Sequence, residues 1–245
     1  AALCGVAGLK PSFGRWSLAG VWPLVPSLDH VGPMARTTED LLLVTDALDT
    51  DPTSSGAPSR AVFDPDWIAE CDHEVQKTFE GALMSLEGNG VAISETRLPA
   101  LDRVKGGHGT IFCVETAAFY RSFVAASAEL PREGQAAIGH ADSITMAAYQ
   151  AACRDRQQMR AQVDAVLDEG ALIVSPTTAV VRVPKEARTL TIGGKEQDFT
   201  YGLVRLTCLF DHTGHPAAAL PVGGGSLQVV AARNADRTAL MLPVS

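Results

Sequence analysis

The sequence predicts an α/β domain in which a mixed β-sheet lies between layers of helices. Two stretches, residues 72–94 and 143–174, carry this prediction, because in each an amphipathic helical pattern leads through a glycine into a short apolar run. The second of these runs, Ala171–Val174, contains no polar residue. Such a run is typical of a strand that is covered on both faces of a sheet. We therefore expect Ala171–Val174 to be a central, fully buried strand.

The elements before the first unit are short. Thr37 and Asp40 have the spacing of a capping box ahead of an apolar run, which predicts a helix over residues 38–48. Residues 49–60 are rich in Pro, Ser and Gly and indicate an exposed loop. A short strand is expected at Arg60–Phe63.

The first unit begins at Asp72, the expected N-cap of its helix. Gly88-Asn89-Gly90 favours the left-handed backbone conformation that ends a helix, and Val91–Ser94 follows as a strand. The apolar face of the helix is expected to comprise Val75, Phe79, Ala82, Leu83 and Leu86.

Between the units, helical spacing of apolar residues predicts a helix over Val114–Leu130. The preceding Gly106–Gly109 matches neither phosphate-loop pattern and is interpreted as a flexible loop. Ser143 is the expected start of the long second helix and Gly170 its end. Ser175–Thr177 is expected to terminate the strand that follows.

The C-terminal third predicts two hairpins. Gly193-Gly194 forms a turn between the extended pieces Leu190–Ile192 and Glu196–Phe199, within a polar segment expected to be a surface excursion. Ala217–Val222 and Leu227–Val230 read as two further sheet strands joined by a glycine loop.

Composition limits the class of protein. The 245 residues, 46% hydrophobic and 20% charged, suffice for a single domain spanning residues 1–245. A net charge of −8 with scattered basic residues argues against a nucleic-acid partner, and the absence of a long apolar run argues against a membrane partner. Five widely spaced cysteines without a C-x-x-C pair indicate reduced thiols and a cytoplasmic location.

Several groups of residues could be mistaken for catalytic or metal-binding sites but are interpreted as structural. The sequence lacks the G-x-S-x-G pattern of Ser-His-Asp hydrolases. His212 and His215 lie beside Asp211, but the intervening glycine and following proline oppose a helical metal site, so these are interpreted as turn histidines bonded to backbone. Asp29-His30 is expected to belong to a structural loop. Lys10 is interpreted as an ion-pairing or loop-fixing residue.

The first forty residues carry the strongest motif. The runs CGVAGLKPSFGR (residues 4–15) and SLDHVGPMART (residues 27–37) resemble the downstream half of the hallmark of the amidase signature family. The order TGHP, ALPVG, LQVV near the C-terminus (residues 213–230) resembles that family too. Gly8 and Gly32, both within the N-terminal motif, are expected to occupy backbone positions that tolerate no side chain.

The resemblance implies an amidase signature fold that is incomplete at its N-terminus. It also implies an amidase-type hydrolase that cleaves a carboxamide C–N bond of a small molecule through a serine acyl-enzyme, without a cofactor or metal. In the family the nucleophilic Ser, the bridging Ser and the Lys all precede this segment, so they are expected upstream of Ala1 and the 245 residues alone are expected to be inactive.

Arg121, Thr213 and His215 are the candidate substrate-binding residues on this interpretation. Two alternatives stay open: the amidase subunit of a glutamine-dependent tRNA amidotransferase, and a catalytically inactive scaffold or interaction protein. A homodimer is also left open, and the sequence does not identify the amide substrate.

Overall fold

The computed structural model describes residues 1–48, 58–123, 132–168 and 170–244. Within these ranges it contains a 3₁₀ turn at Ala2–Cys4, nine strands and nine α-helices. The strands are β1 (Ala7–Lys10), β2 (Met34–Ala35), β3 (Arg60–Phe63), β4 (Ala92–Glu95), β5 (Leu172–Pro176), β6 (Thr189–Ile192), β7 (Lys195–Asp198), β8 (Ala217–Val222) and β9 (Gly225–Val230). The helices are α1 (Thr38–Leu48), α2 (Pro65–Ala69), α3 (His73–Gly88), α4 (Leu101–Phe123), α5 (Arg132–Ala141), α6 (Met146–Leu167), α7 (Phe199–Val204), α8 (Cys208–Thr213) and α9 (Asp236–Ala239).

Seven strands form a mixed sheet in the order β2-β1-β8-β9-β5-β3-β4. The pairs β5–β3 and β3–β4 are parallel, and the remaining pairs are antiparallel. All five residues of β5 are buried, and the strand lies between β9 and β3. The predicted mixed sheet and its central buried strand are therefore confirmed, although the strand spans Leu172–Pro176 instead of Ala171–Val174.

The core has two layers because strand residues alternate between the two faces of the sheet. Ile173 of β5 packs in one layer with Met159 and Val163 of α6. Its neighbours Leu172 and Val174 pack in the other layer with Phe79 of α3. Helices thus cover both faces, which gives the layered α/β arrangement predicted from the sequence.

The predicted helix starts hold in part. The Asp40 amide donates to the Thr37 hydroxyl at 3.1 Å, as a cap at the start of α1 requires. Asp72 occupies the N-cap position of α3, but its carboxylate accepts from the Gly193 amide instead of capping the helix. For α6 the prediction is wrong by two residues: Thr145 accepts from the Ala148 amide as N-cap, and the Ser143 hydroxyl bonds to the His140 carbonyl.

The largest error concerns the glycine-rich run Gly106–Gly109. It lies within α4, which begins at Leu101, and is not a loop. Gly107 is buried, and a Cβ there would lie 4.0 Å from the Met159 methyl group of α6. Packing of α4 on α6 therefore overrides the poor helix propensity of glycine, which costs about 1 kcal/mol per residue. The remainder of the predicted Val114–Leu130 helix past residue 123 lies outside the described residues.

The hairpin of β6 and β7 forms as predicted around Gly193-Gly194. The hairpin is more buried than expected, because Leu190 and Ile192 are only 3% exposed and pack in the same core layer as α6. Most of the loop predicted at residues 49–60 lies outside the described residues. No helix in the described ranges has the length and apolarity needed to span a membrane.

Candidate functional site

The two motif glycines lie where the chain packs most closely. A Cβ on Gly32 would lie 1.9 Å from the Leu9 carbonyl oxygen, and a Cβ on Gly8 would lie 2.6 Å from the Ala1 Cβ. Neither glycine has a positive φ. The prediction that both positions exclude a side chain is confirmed, and its cause is close packing rather than backbone conformation: the β1–β2 loop approaches β1 at Gly32, and Ala1 approaches β1 at Gly8.

Lys10 ends β1 beneath this loop. Its Nζ donates to the His215 carbonyl at 2.7 Å and to the Pro11 carbonyl at 3.2 Å, and it lies 3.3 Å from His30 Nε2. Burial lowers the pKa of Lys10 to about 8, although the carboxylates of Asp211 and Asp236 act in the opposite direction. The contacts agree with a loop-fixing role for this lysine.

The adjacent residues of the Asp29-His30 pair point to different partners. Asp29 accepts hydrogen bonds from the backbone amides of Leu24 and Val25, which fixes the loop. His30 donates from Nδ1 to the Leu28 carbonyl at 2.7 Å. Burial and the nearby Lys10 charge lower the pKa of His30 to about 4, so it is neutral at pH 7.

Asp211 of α8 faces an open cavity of about 230 Å³ beside Lys10, called here the Asp211 cavity. The Asp211 side chain keeps 33% of its surface exposed. Surrounding protein raises the pKa of this carboxyl to about 6, and the Lys10 charge opposes the shift. The other side chains and backbone that define the cavity belong to Ala1, Gly8, Leu9, Lys10, Gly32, Pro33, Met34, Thr177, Thr207, Ala217, Ala218, Ala219 and Gln228.

Thr213 and His215 lie together but are completely buried. His215 Nδ1 lies 2.9 Å from the Thr213 hydroxyl, and His215 Nε2 lies 3.0 Å from the Asp164 carboxylate on α6. Burial lowers the pKa of His215 to about 4 despite Asp164. These are side-chain bonds, so the expected backbone-bonded turn histidine is corrected. Neither residue lines the Asp211 cavity, but the His215 carbonyl holds Lys10.

Arg121 lies apart from these two residues, on the exposed side of α4. Its Nη2 lies 2.6 Å from the Asp142 carboxylate, and 51% of its side chain is exposed. Glu115, on the same helix, accepts from the Ser27 hydroxyl at 2.6 Å and the Tyr149 hydroxyl at 3.1 Å and does not pair with Arg121. The structure therefore does not bring the three nominated residues into one site.

The buried Ser12–Asp236 contact was missed by sequence reasoning. The Ser12 amide and hydroxyl donate to the two Asp236 carboxylate oxygens at 2.6 and 2.7 Å. The Asn234 amide donates to the Ser12 hydroxyl at 2.8 Å. The residues are separated by 224 positions and belong to no shared short motif, so nothing local could indicate the pair.

His212 also has a partner that no spacing rule suggests. It lies on α8, not in a turn, and its Nε2 is 3.0 Å from His108 Nδ1 of α4. Its own Nδ1 is buried without a hydrogen-bond partner. Burial and the positive neighbours lower the pKa of His212 to about 3. Among the described residues no group of three or more His, Cys, Asp or Glu side chains could hold a metal ion.

The thiols offer weak nucleophiles. Burial raises the pKa of Cys71 and of Cys208 to about 12 each, so both are protonated at neutral pH. All five cysteines are free, as the sequence predicted, and Cys4 is exposed. Three serines are engaged structurally: Ser12 with Asp236, Ser27 with Glu115 and Ser175 with the Pro176 carbonyl. These contacts fix the loops and strand ends in which the three serines lie.

Comparison with known proteins extends the resemblance to nearly the whole chain. The family model described as Amidase matches residues 1–240. An amidase of Pseudomonas putida is 27% identical over 249 residues, which cover 90% of this chain and 52% of that protein. A glutamyl-tRNA(Gln) amidotransferase subunit of Thermus thermophilus is 26% identical over 264 residues, covering 91% of this chain and 55% of that protein.

The folds agree as well. A crystal structure of an amidase superposes with a TM-score of 0.89 at 26% identity, and the match covers 99% of this chain and 58% of that one. The chain thus spans about half the length of the relatives that it matches along most of its own length.

Proposed function

We propose, since this chain belongs to the amidase family, that it supplies the C-terminal scaffold of an amidase-type hydrolase. Such an enzyme splits a carboxamide C–N bond through a serine acyl-enzyme and releases a carboxylate and ammonia or an amine. The observation that carries the proposal is the match of both sequence and fold to amidases over nearly the entire chain.

The proposal assigns the chemistry to groups upstream of Ala1. A lysine whose pKa is lowered by desolvation can act as a base, and a bridging serine can relay the proton from the nucleophilic serine. Backbone N–H donors then stabilise the tetrahedral oxyanion, each contributing roughly 10²–10³ in rate. Residues 1–245 would hold these groups in place, and would not by themselves form an acyl-enzyme.

A small-molecule amide is the proposed substrate. Of the three nominated residues, His215 supports the proposal through its carbonyl, which fixes Lys10 at the Asp211 cavity. Thr213 positions His215. Arg121 forms an exposed ion pair with Asp142, and a role in substrate binding would require a further segment that covers α4.

The test compares the 245-residue chain with a longer polypeptide that includes the upstream reading frame. Both are incubated with a serine-directed fluorophosphonate and with simple aryl and aliphatic amides, while adduct mass and ammonia release are followed. We expect an adduct and turnover only from the longer polypeptide. A specific serine adduct on the short chain, lost when one of its own serines is replaced, would show that the nucleophile lies within residues 1–245.

A second candidate function is the amidase subunit of a glutamine-dependent tRNA amidotransferase. It is favoured by the 26% identity to the Thermus thermophilus protein, which is nearly the same as the identity to the Pseudomonas putida amidase. The two candidates differ in substrate and in dependence on a partner. Ammonia release from glutamine that requires added partner subunits supports the second, whereas partner-independent hydrolysis of small amides supports the first.

A further inference from the structure

The Asp211 cavity is lined by both apolar and polar residues. Its apolar wall comprises Leu9, Pro33 and the three alanines of β8. Its polar side chains are those of Lys10, Thr177, Thr207, Asp211 and Gln228. With a volume of about 230 Å³, and about 30 Å³ per molecule in liquid water, it has room for a small organic ligand rather than a few waters alone.

The donors of Lys10, Thr207 and Gln228 are already used by the protein. The Gln228 Nε2 group donates to the Ser175 hydroxyl and to the Leu206 carbonyl, both at 2.9 Å. The Thr207 hydroxyl donates to the Val204 carbonyl at 3.1 Å. Lys10 uses its three N–H groups on the two carbonyls and the His30 nitrogen described above.

The Thr177 and Ser226 hydroxyls lie 2.9 Å apart, and one of them donates to the other. Among the described lining residues, a ligand in the cavity therefore meets at most one side-chain donor that is not committed to the protein, the Thr177 hydroxyl.

The main acceptor in the cavity, the Asp211 carboxylate, is by contrast not used by the residues that the structure describes. Within the described part of the chain, the Asp211 carboxylate accepts no hydrogen bond, and the nearest ion-pair contact is His30 Nδ1 at 3.9 Å. That nitrogen donates to the Leu28 carbonyl at 2.7 Å and is not available to Asp211. With 33% of its side chain exposed, the Asp211 carboxylate depends on water or on a ligand in the cavity for its hydrogen bonds.

We infer that the Asp211 cavity binds a small primary ammonium ion, with Asp211 as its counter-ion and the wall of β8 alanines packed against a short alkyl chain. An ammonium group carries three donors and no acceptor, so it matches a cavity whose unused groups are acceptors. A carboxylate ligand would be repelled by the Asp211 charge and would find at most the Thr177 hydroxyl as a donor among the described side chains. A neutral amide would donate to Asp211 but would not neutralise its charge.

The neighbouring titratable groups give this site a characteristic pH dependence. Asp211, with a pKa of about 6 raised by burial, gains its charge as the pH rises. Lys10, with a pKa of about 8 lowered by burial, loses its competing charge over the next two units. His30, with a pKa lowered to about 4, and Cys208, with a pKa raised to about 12, stay neutral throughout. Ammonium binding should therefore strengthen from pH 6 to pH 9, where alkylamines with pKa values near that of lysine, about 10.4, remain protonated.

If the proposed function holds, the site also has a role in amide hydrolysis, and this role rests on that function. Hydrolysis of an amide releases an amine, and the Asp211 cavity would then receive the ammonium product or the amine side of the substrate. Binding of the ion itself is independent of hydrolysis. A failure of turnover would thus leave the binding measurement intact, and a failure of binding would leave the family function intact.

The experiment is isothermal titration of the 245-residue chain with n-butylammonium at pH 6, 7.5 and 9, with n-butanol as the neutral ligand of equal length. Asp211→Asn keeps the shape of the side chain and removes its charge. Asp40→Asn makes the same change on the exposed first turn of α1, away from the cavity. We expect binding that strengthens with pH, at least about tenfold weaker in Asp211→Asn, and unchanged in Asp40→Asn.

A second variant, Ala219→Leu, keeps the charge of Asp211 and fills the cavity from β8, where Ala219 is half-buried. It should also abolish binding, and it keeps the test decisive if Asp211→Asn folds poorly. The inference is overturned if the chain does not bind n-butylammonium at pH 9, if n-butanol binds equally well, or if both cavity variants bind as the unmodified chain does.

Discussion

At the scale of single residues, the close packing of other atoms against Gly8 and Gly32 determines which substitutions the N-terminal motif tolerates. The sequence identified Gly8 and Gly32 because they lie in a dense run of Gly and Pro, and the structure confirms both positions. It could not identify the reason, since the obstructing atoms belong to Leu9 and Ala1 and are set by tertiary packing. The same limit hid Ser12 and Asp236, whose contact depends on the completed fold.

Gly32→Ala should destabilise the protein strongly, because its Cβ would lie 1.9 Å from a backbone oxygen that cannot move without disturbing β1. We expect a loss of at least about 2 kcal/mol in the free energy of unfolding, measured by urea denaturation, as for other overpacked sites. Gly8→Ala should cost less, since the obstructing atom is a side-chain methyl.

Gly81→Ala is the matched control for these two variants. Gly81 lies in α3 without a positive φ, and no heavy atom lies within 4 Å of the position that its Cβ would take. Replacement there should stabilise the helix by up to about 1 kcal/mol. If Gly32→Ala unfolds at the same urea concentration as Gly81→Ala, the close approach does not exist in solution.

At the scale of elements, strands were easier to predict than helix limits. The apolar run of β5 and the glycine turns of the two hairpins are local signals, and all three were confirmed. The predicted limit of α4 was wrong because packing on α6 decides it, and that of α6 was wrong because two nearby residues could cap the helix. Gly107 extends α4 towards its N-terminus by letting α6 approach, and Thr145 replaces Ser143 as the cap of α6.

Ile173→Asp tests the placement of β5. Ile173 is completely buried between α6 and the sheet, and a buried unpaired charge costs several kcal/mol against a total stability of about 5–15 kcal/mol. We expect no soluble protein from this variant. Ile173→Val, the control, should remain folded with a loss of about 0.5–1.5 kcal/mol. A soluble Ile173→Asp variant that melts cooperatively contradicts the central position of β5.

At the scale of the whole molecule, neutral histidines concentrate around α8. His30, His212 and His215 all have pKa values lowered to between about 3 and 4 by burial. In the unfolded chain each takes up a proton near pH 6.5. The folded state does not, so stability is complete above pH 6.5 and decreases as the pH falls towards 4.

We expect each of these histidines to reduce the free energy of unfolding by roughly 1.6 kcal/mol between pH 6.5 and pH 5. His212→Gln should reduce the loss of unfolding free energy over this pH range by the contribution of one histidine. Urea denaturation midpoints measured across the pH range test this. His140→Gln, a change at an exposed histidine of α5, should leave the slope unchanged. Asp211 titrates in the opposite direction in every variant, so only the difference between variants is diagnostic. Equal slopes in both variants would exclude this role for His212.

The position of β1 between β2 and β8 has a consequence for synthesis on the ribosome. Lys10 pairs with Ala217, so β1 cannot complete its ladder until some 200 further residues have been translated. At about 5–20 residues per second this delay is roughly 10–40 s. During that time Leu9 and its neighbours lack the strand that later covers them, which makes this part of the nascent chain a client for ribosome-associated chaperones. Protease protection of residues 1–40 in nascent chains stalled before residue 210 would contradict this order of events.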